Sequence, residues 1–168
     1  VASFPSGSGT AQIGSGFGGG QFDARIDEVR VYNRPLSADE VAQLYRLTTP
    51  TGVDTGLKGY WPLDGRDVVS TTAYDRSGKG SSGVLAGGKL GQGLSFDGVN
   101  DEVTMGDLNY IDGAANLTLS AWFKRNAVSN LVTVGKSDTS NGRFNINFFG
   151  DGNVYMNVGD GASAAYGY

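Results

Sequence analysis

"RIDEVRVYNRPLSADEVAQLYRL", Arg25 to Leu47, decides the fold because its hydrophobic period changes midway. In the first half Asp27, Val29 and Val31 alternate onto one face of an extended strand that runs from Phe22 to Tyr32. In the second half Val41, Leu44 and Tyr45 share a helical face. Between the halves stands a capping box. Ser37 at the N-cap and Glu40 three residues on each satisfy an amide that the first helical turn leaves orphaned. The stretch reads as one long strand, a turn and one short amphipathic helix near residues 37–46.

Working outward, β signals dominate. "PSGSGTAQIGSGFGGGQ" (Pro5 to Gln21) reads as a brief strand between glycine turns. From Leu57 on, short strand patterns recur about every ten residues. Leu57, Trp61 and Leu63 are in phase, as are Leu94 and Phe96, Asp101, Val103 and Met105, and Leu117, Leu119, Ala121 and Phe123. "RFNINFFGDGNVYMNV" (Arg143 to Val158) is a hairpin. A three-residue Gly-Asp-Gly loop pairs Phe148 with Val154, Ile146 with Met156 and Phe144 with Val158, which places all six on one buried face. The opposite face then carries Arg143, Asn145, Asn147, Tyr155 and Asn157 together. The 28 glycines among 168 residues are more than twice the usual share of about 7% and suit an all-β chain with many tight turns.

Charge and composition exclude several functions. The net charge is -4, and three of the 17 acidic residues are glutamate, so aspartate, which caps turns and ligates hard cations, dominates. No basic patch offers itself to nucleic acid. The chain has no Cys and no His, which removes disulfides, thiolate nucleophiles, the usual zinc sites and imidazole acid–base chemistry. No run approaches the ~18 apolar residues of a membrane span, so a soluble, mature or excised piece is expected.

These stretches together resemble the laminin G-like group of the concanavalin A-like lectin and glucanase superfamily. The resemblance rests on "GYWPLDG", the D-x-S-G-x-G loop in "YDRSGKGSSG", "LSFDGVNDEVTM", "LTLSAWFKR" and "IGSG…FDARIDEVRVYNRPLSADEVAQLY". It implies an all-β fold, an antiparallel jelly-roll β-sandwich. The order departs from the family's, since the closing block (Ile13 to Tyr45) precedes the opening one (Gly59 to Gly65). The family's middle, a strand like W-H-H-V-A and a Y-V-D-G hairpin, is missing. Residues 1–47 thus read as the C-terminal part of a sandwich, 48–56 as a linker and 57–168 as an N-terminal part. A tandem-array excision, a fibre subunit completed by neighbouring copies and a circular permutant all give this order. Assembly with neighbours is the favoured expectation, because an incomplete sandwich leaves voids and open strand edges.

The candidate sites follow from the same residues. The resemblance implies a calcium clamp, with Asp75 ligating by its side chain, Gly78 and Gly80 by backbone oxygens, and Asp27 brought from its strand. Asp101, also in core phase, is a weaker reserve ligand. The hairpin face with Arg143, Asn145, Asn147, Tyr155 and Asn157, joined by Trp122, has the aromatic and amide composition of a carbohydrate site. Trp61 is expected in the core. Catalysis is not expected, because "RIDEV" and "NDEV" put Asp and Glu on opposite strand faces, whereas retaining glycosidases need a close same-face pair. The expected partner is a glycan or surface protein, with self-association and an extracellular or cell-surface location.

Overall fold

The computed structural model describes residues 9–15, 22–46, 53–86, 89–91, 93–126, 131–138, 142–148, 153–159 and 165–167. In chain order the strands are β1 (Thr10–Ile13), β2 (Asp23–Tyr32), β3 (Leu57–Trp61), β4 (Val68–Val69), β5 (Thr72–Ala73), β6 (Gly83–Ala86) and β7 (Lys89–Gly91). They continue with β8 (Gly93–Asp97), β9 (Glu102–Gly106), β10 (Thr118–Arg125), β11 (Leu131–Asp138), β12 (Gly142–Phe148), β13 (Val154–Gly159) and β14 (Ala165–Gly167). Helix α1 spans Ala38–Tyr45. Its capping box forms as read: the Glu40 amide donates to Ser37 Oγ at 3.3 Å and the Ser37 amide to Glu40 Oε2 at 2.8 Å.

Two antiparallel sheets make a sandwich. The larger has nine strands in the order β14-β13-β12-β11-β1-β9-β6-β5-β4; the smaller has five, β10-β2-β8-β7 with β3 also on β2. Both strands of the early block insert among strands of the later one. β1 lies between β11 and β9. β2 has β10 along one side and, end to end on the other, β8 beside Asp23–Ile26 and β3 beside Val29–Tyr32. The two blocks therefore share both sheets within one chain.

The phase of β2 differs from the sequence reading. Asp27 pairs with Trp122 and Arg30 with Ser120, so Ala121 alone faces Glu28 and Val29. Glu28, at φ 54°, is the extra residue of a β-bulge. Ala24 and Ile26 before the bulge, and Val29 and Val31 after it, are all fully buried. Asp27 falls out of step with Val29 and Val31 and is only partly buried. A non-glycine residue in the left-handed region costs about 1–2 kcal/mol, and here side-chain bonding offsets it. The Glu28 carboxylate accepts from Tyr60 Oη at 3.0 Å and pairs with Arg30.

The core lies between the sheets, around Ile13, Phe22, Ile26, Trp61, Leu94 and Phe96. Trp61 is wholly buried, as expected, and its indole N–H donates to the Ser81 carbonyl at 2.9 Å. Gly59 makes room for the ring: a Cβ there would sit 2.2 Å from Trp61 Cη2. Leu57 does not share this core. A register shift at the end of the β2–β3 ladder turns it to a second cluster with Tyr32, Leu36, Leu44 and Val53, under α1.

Candidate functional site: a cleft along the edge of β10

Strand β10 ends the smaller sheet, and the larger sheet runs on past it through β11, β12 and β13. α1 overhangs the same edge from the other side. The result is a cleft of about 540 Å³. Leu36, Val41, Leu44 and Tyr45 form one wall, Val134, Ile146 and Val154 the other, and residues Thr118 to Phe123 of β10 the floor. Large apolar side chains remain in water here: Tyr45 is 69% exposed, Val41 52% and Trp122 40%. The Tyr45 and Trp122 rings stack at the rim, centroids 5.3 Å apart and tilted by 32°.

The helical face of Val41, Leu44 and Tyr45 was expected to pack, but only Leu44 is buried. Sequence reasoning therefore missed Val41, Tyr45 and Leu36 as cleft residues. A usable signal was present: in "AWFKR", adjacent Trp122 and Phe123 must face opposite ways on a strand, so covering both needs a partner layer on each side.

One end of β10 is basic. Arg25 pairs in register with Lys124, and Arg125 follows. Arg25 and Lys124 are exposed, Arg125 Nη1 is buried without a hydrogen-bond partner, and none of the three forms an ion pair among the described residues.

The hairpin register is the expected one. Phe148 pairs with Val154, Ile146 with Met156 and Phe144 with Val158. Arg143, Asn145, Asn147, Tyr155 and Asn157 therefore share the other backbone phase. Asn145 is buried, 6% exposed, beside Gly135 of β11. The side chains of Arg143, Asn147, Tyr155 and Asn157 lie outside the described residues. Trp122 is not brought to this face; it lines the cleft with Ile146 and Val154, which belong to the opposite phase.

The side chains expected to ligate calcium accept backbone hydrogen bonds. Asp75 Oδ1 accepts from the Tyr60 amide at 3.0 Å and the Ser77 amide at 2.8 Å, and Oδ2 accepts from the Ser81 amide at 3.1 Å. Those amides occupy most of the carboxylate's acceptor sites. Gly78 and Gly80 hold φ near 77° and 79° in the same loop, and their role there is to turn the chain. Asp27 accepts from the Glu28 amide at 2.9 Å. Its carboxyl is pushed up to about 6, by burial first and then by Glu28 and Asp64, against the Glu28 amide and Arg30. Asp101 accepts from the Asp97 amide at 2.7 Å. No group of three or more His, Cys, Asp or Glu side chains placed to hold a metal ion occurs among the described residues.

The glutamates are also engaged elsewhere. Glu28 is held at the bulge, Glu40 in the cap and by Arg34, and Glu102 by Gln12, Ser15 and Thr104. None lines the cleft.

Residues 1–42 match a laminin G-type family model described as the concanavalin A-like lectin/glucanases superfamily. The two antiparallel sheets and the one α-helix among the described residues are consistent with a sandwich of that class. No curated protein and no solved structure is similar enough to the chain to count as a match. No helix among the described residues is long and apolar enough to cross a membrane.

Proposed function

We propose that the chain is a non-catalytic, lectin-like adhesion module working outside the cell or at its surface, and that the β10 cleft is its recognition face. The observation that carries this is the exposed Tyr45–Trp122 pair at the rim of an apolar cleft. Solvent-exposed aromatic rings beside a concave apolar surface are what recognition sites use. No carboxylate lies among the described residues that line the cleft, which favours binding over hydrolysis. Location goes with the laminin G-like modules that the chain resembles.

A glycan array and a panel of immobilised surface proteins, each run with the natural chain and with Trp122→Ala, test the reading. Binding to either that is lost in the variant supports it. Binding that Trp122→Ala leaves intact moves the recognition face elsewhere, with the hairpin face of β12 and β13 the first alternative for a glycan. Release of reducing ends from a polysaccharide would overturn the non-catalytic assignment.

A second reading, a subunit of a self-assembling extracellular fibre, is favoured by the four-strand excess of the larger sheet (nine strands against five). A monomer by size exclusion with no filaments in negative stain would remove it.

A further inference from the structure

The cleft is shaped for one strand. Its floor is the outer edge of β10, eight residues long, whose every second residue directs its backbone N–H and C=O away from β2. No described strand pairs with that edge. Both walls project past it, α1 on one side and the inner face of β11 to β13 on the other. We propose, resting on the adhesion reading above, that the partner is a single extended polypeptide segment that adds antiparallel to β10. Its side chains are apolar on both faces and an acidic residue near its N-terminal end lies opposite Lys124 and Arg125.

Each feature of this ligand has its observation. A strand edge with no described strand beside it, between apolar walls, takes backbone hydrogen bonds, which a glycan cannot supply along a ladder. Apolar residues on both faces follow from the walls, because successive side chains of the segment meet α1 and Trp122 on one side and Val134 and Ile146 on the other. Charge complementarity sets the acidic residue: Arg25, Lys124 and Arg125 form a basic end without ion pairs among the described residues, and Arg125 Nη1 is already desolvated without a hydrogen-bond partner. Antiparallel addition puts the N-terminal end of the segment at Arg125.

A second copy of this chain fits less well. The overhanging walls leave no room for a partner sheet that carries its own overhangs. Every described strand of six residues or more already pairs within its own sandwich.

The test uses the whole chain and an acetylated, amidated eight-residue peptide of valine and leucine with glutamate as its N-terminal residue. Two controls accompany it, one with alternate N-methylated amides and one with lysine in place of the glutamate. Saturable binding with protection of β10 amides from hydrogen exchange is expected. N-methylation weakens it by about tenfold or more, the order of one or two lost hydrogen bonds. The lysine peptide binds several-fold more weakly and recovers on Arg125→Glu. Equal binding of the N-methylated peptide would overturn strand addition and leave a plain apolar pocket. A dimer or filament with β10 protected in the absence of peptide makes the occupant a second copy and overturns the proposal. No peptide binding alongside a glycan signal that depends on Trp122 overturns this inference and leaves the adhesion reading standing.

Discussion

The smaller sheet has two exposed flanks beside β2 and treats them differently. At β3 the edge is covered: the Tyr60 amide donates to Asp75 Oδ1 at 3.0 Å, the Arg76 amide to the Tyr60 carbonyl at 2.7 Å and Ser77 Oγ to the Lys58 carbonyl at 3.3 Å. The 75–82 loop takes the place of a neighbouring strand. At β10 the described hydrogen bonds outside the β2 ladder lie at or beyond the strand's ends, Thr118 Oγ1 to the Arg34 carbonyl and the Asn126 amide to the Asp23 carbonyl. Natural sheets blunt their edges against association. An edge with no described strand beside it, between apolar walls and next to one so fully capped, is the contrast on which the proposed strand addition rests.

The covered flank should carry stability. Trp61 ties β3 to the loop through Ser81 and fills the core beneath both, so Trp61→Ala should cost about 3–5 kcal/mol in urea unfolding. A loss below about 1 kcal/mol would mean that the loop and core are not one unit.

Asp75→Ala comes next, at about 2–3 kcal/mol, because the carboxylate accepts three amide hydrogen bonds, one of them from the edge itself. Removing it should also make β3 behave like an open edge, with self-association rising in light scattering. Unchanged stability and scattering would break the contrast between the flanks. Calcium that raised the melting temperature of the natural chain, and not of the Asp75 variant, would show the loop exchanging amide donors for a cation.

How much of this was legible follows from particular residues. Trp61 in the core, the capping box and the hairpin register all rest on local periods and turn lengths, which the chain states directly. The bulge at Glu28 did not show, because alternation in "RIDEVRV" reads smoothly until a residue at positive φ is inserted. That single insertion moved Asp27 from the core phase of Val29 and Val31 to a partly buried position at the sheet's seam. The cleft was invisible for another reason: Val41 and Tyr45 look like packing residues in one dimension, and Trp122 was read as a binding residue but placed with the hairpin face; only the arrangement of α1 and the two sheets brings the three to one cleft.

Asp27 offers a smaller, pH-dependent test at the seam where β2 passes from β8 to β3. Its pKa is raised from 3.8 to about 6, so the folded state favours the neutral acid. Below about pH 3 the group is largely protonated in both states and has little effect. Between about pH 3 and 6 the unfolded chain loses its proton first and stability falls, and above about pH 6 the full penalty applies. Asp27→Asn, which keeps an acceptor for the Glu28 amide, should therefore stabilise the fold at pH 7 and leave it nearly unchanged at about pH 3. The gain should be about 1 kcal/mol, less than the shift alone implies, because water still reaches the carboxylate. Equal effects at the two pH values would show that its environment is not the desolvated one described.

The smallest effect on stability belongs to the open flank. Trp122 is 40% exposed and its ring lies against that of Tyr45, itself 69% exposed. Trp122→Ala should therefore shift the unfolding free energy by no more than about 0.5 kcal/mol, the range of ordinary surface substitutions. A ring that contributes so little to the fold while keeping so much apolar surface in water should matter to something outside it. The same variant should lose the binding that the natural chain shows, with the two effects read on one preparation by urea titration and by the partner assay. A loss of several kcal/mol would instead make Trp122 part of the core, and the contrast between a flank that stabilises and a flank that recognises would fail at its most informative residue.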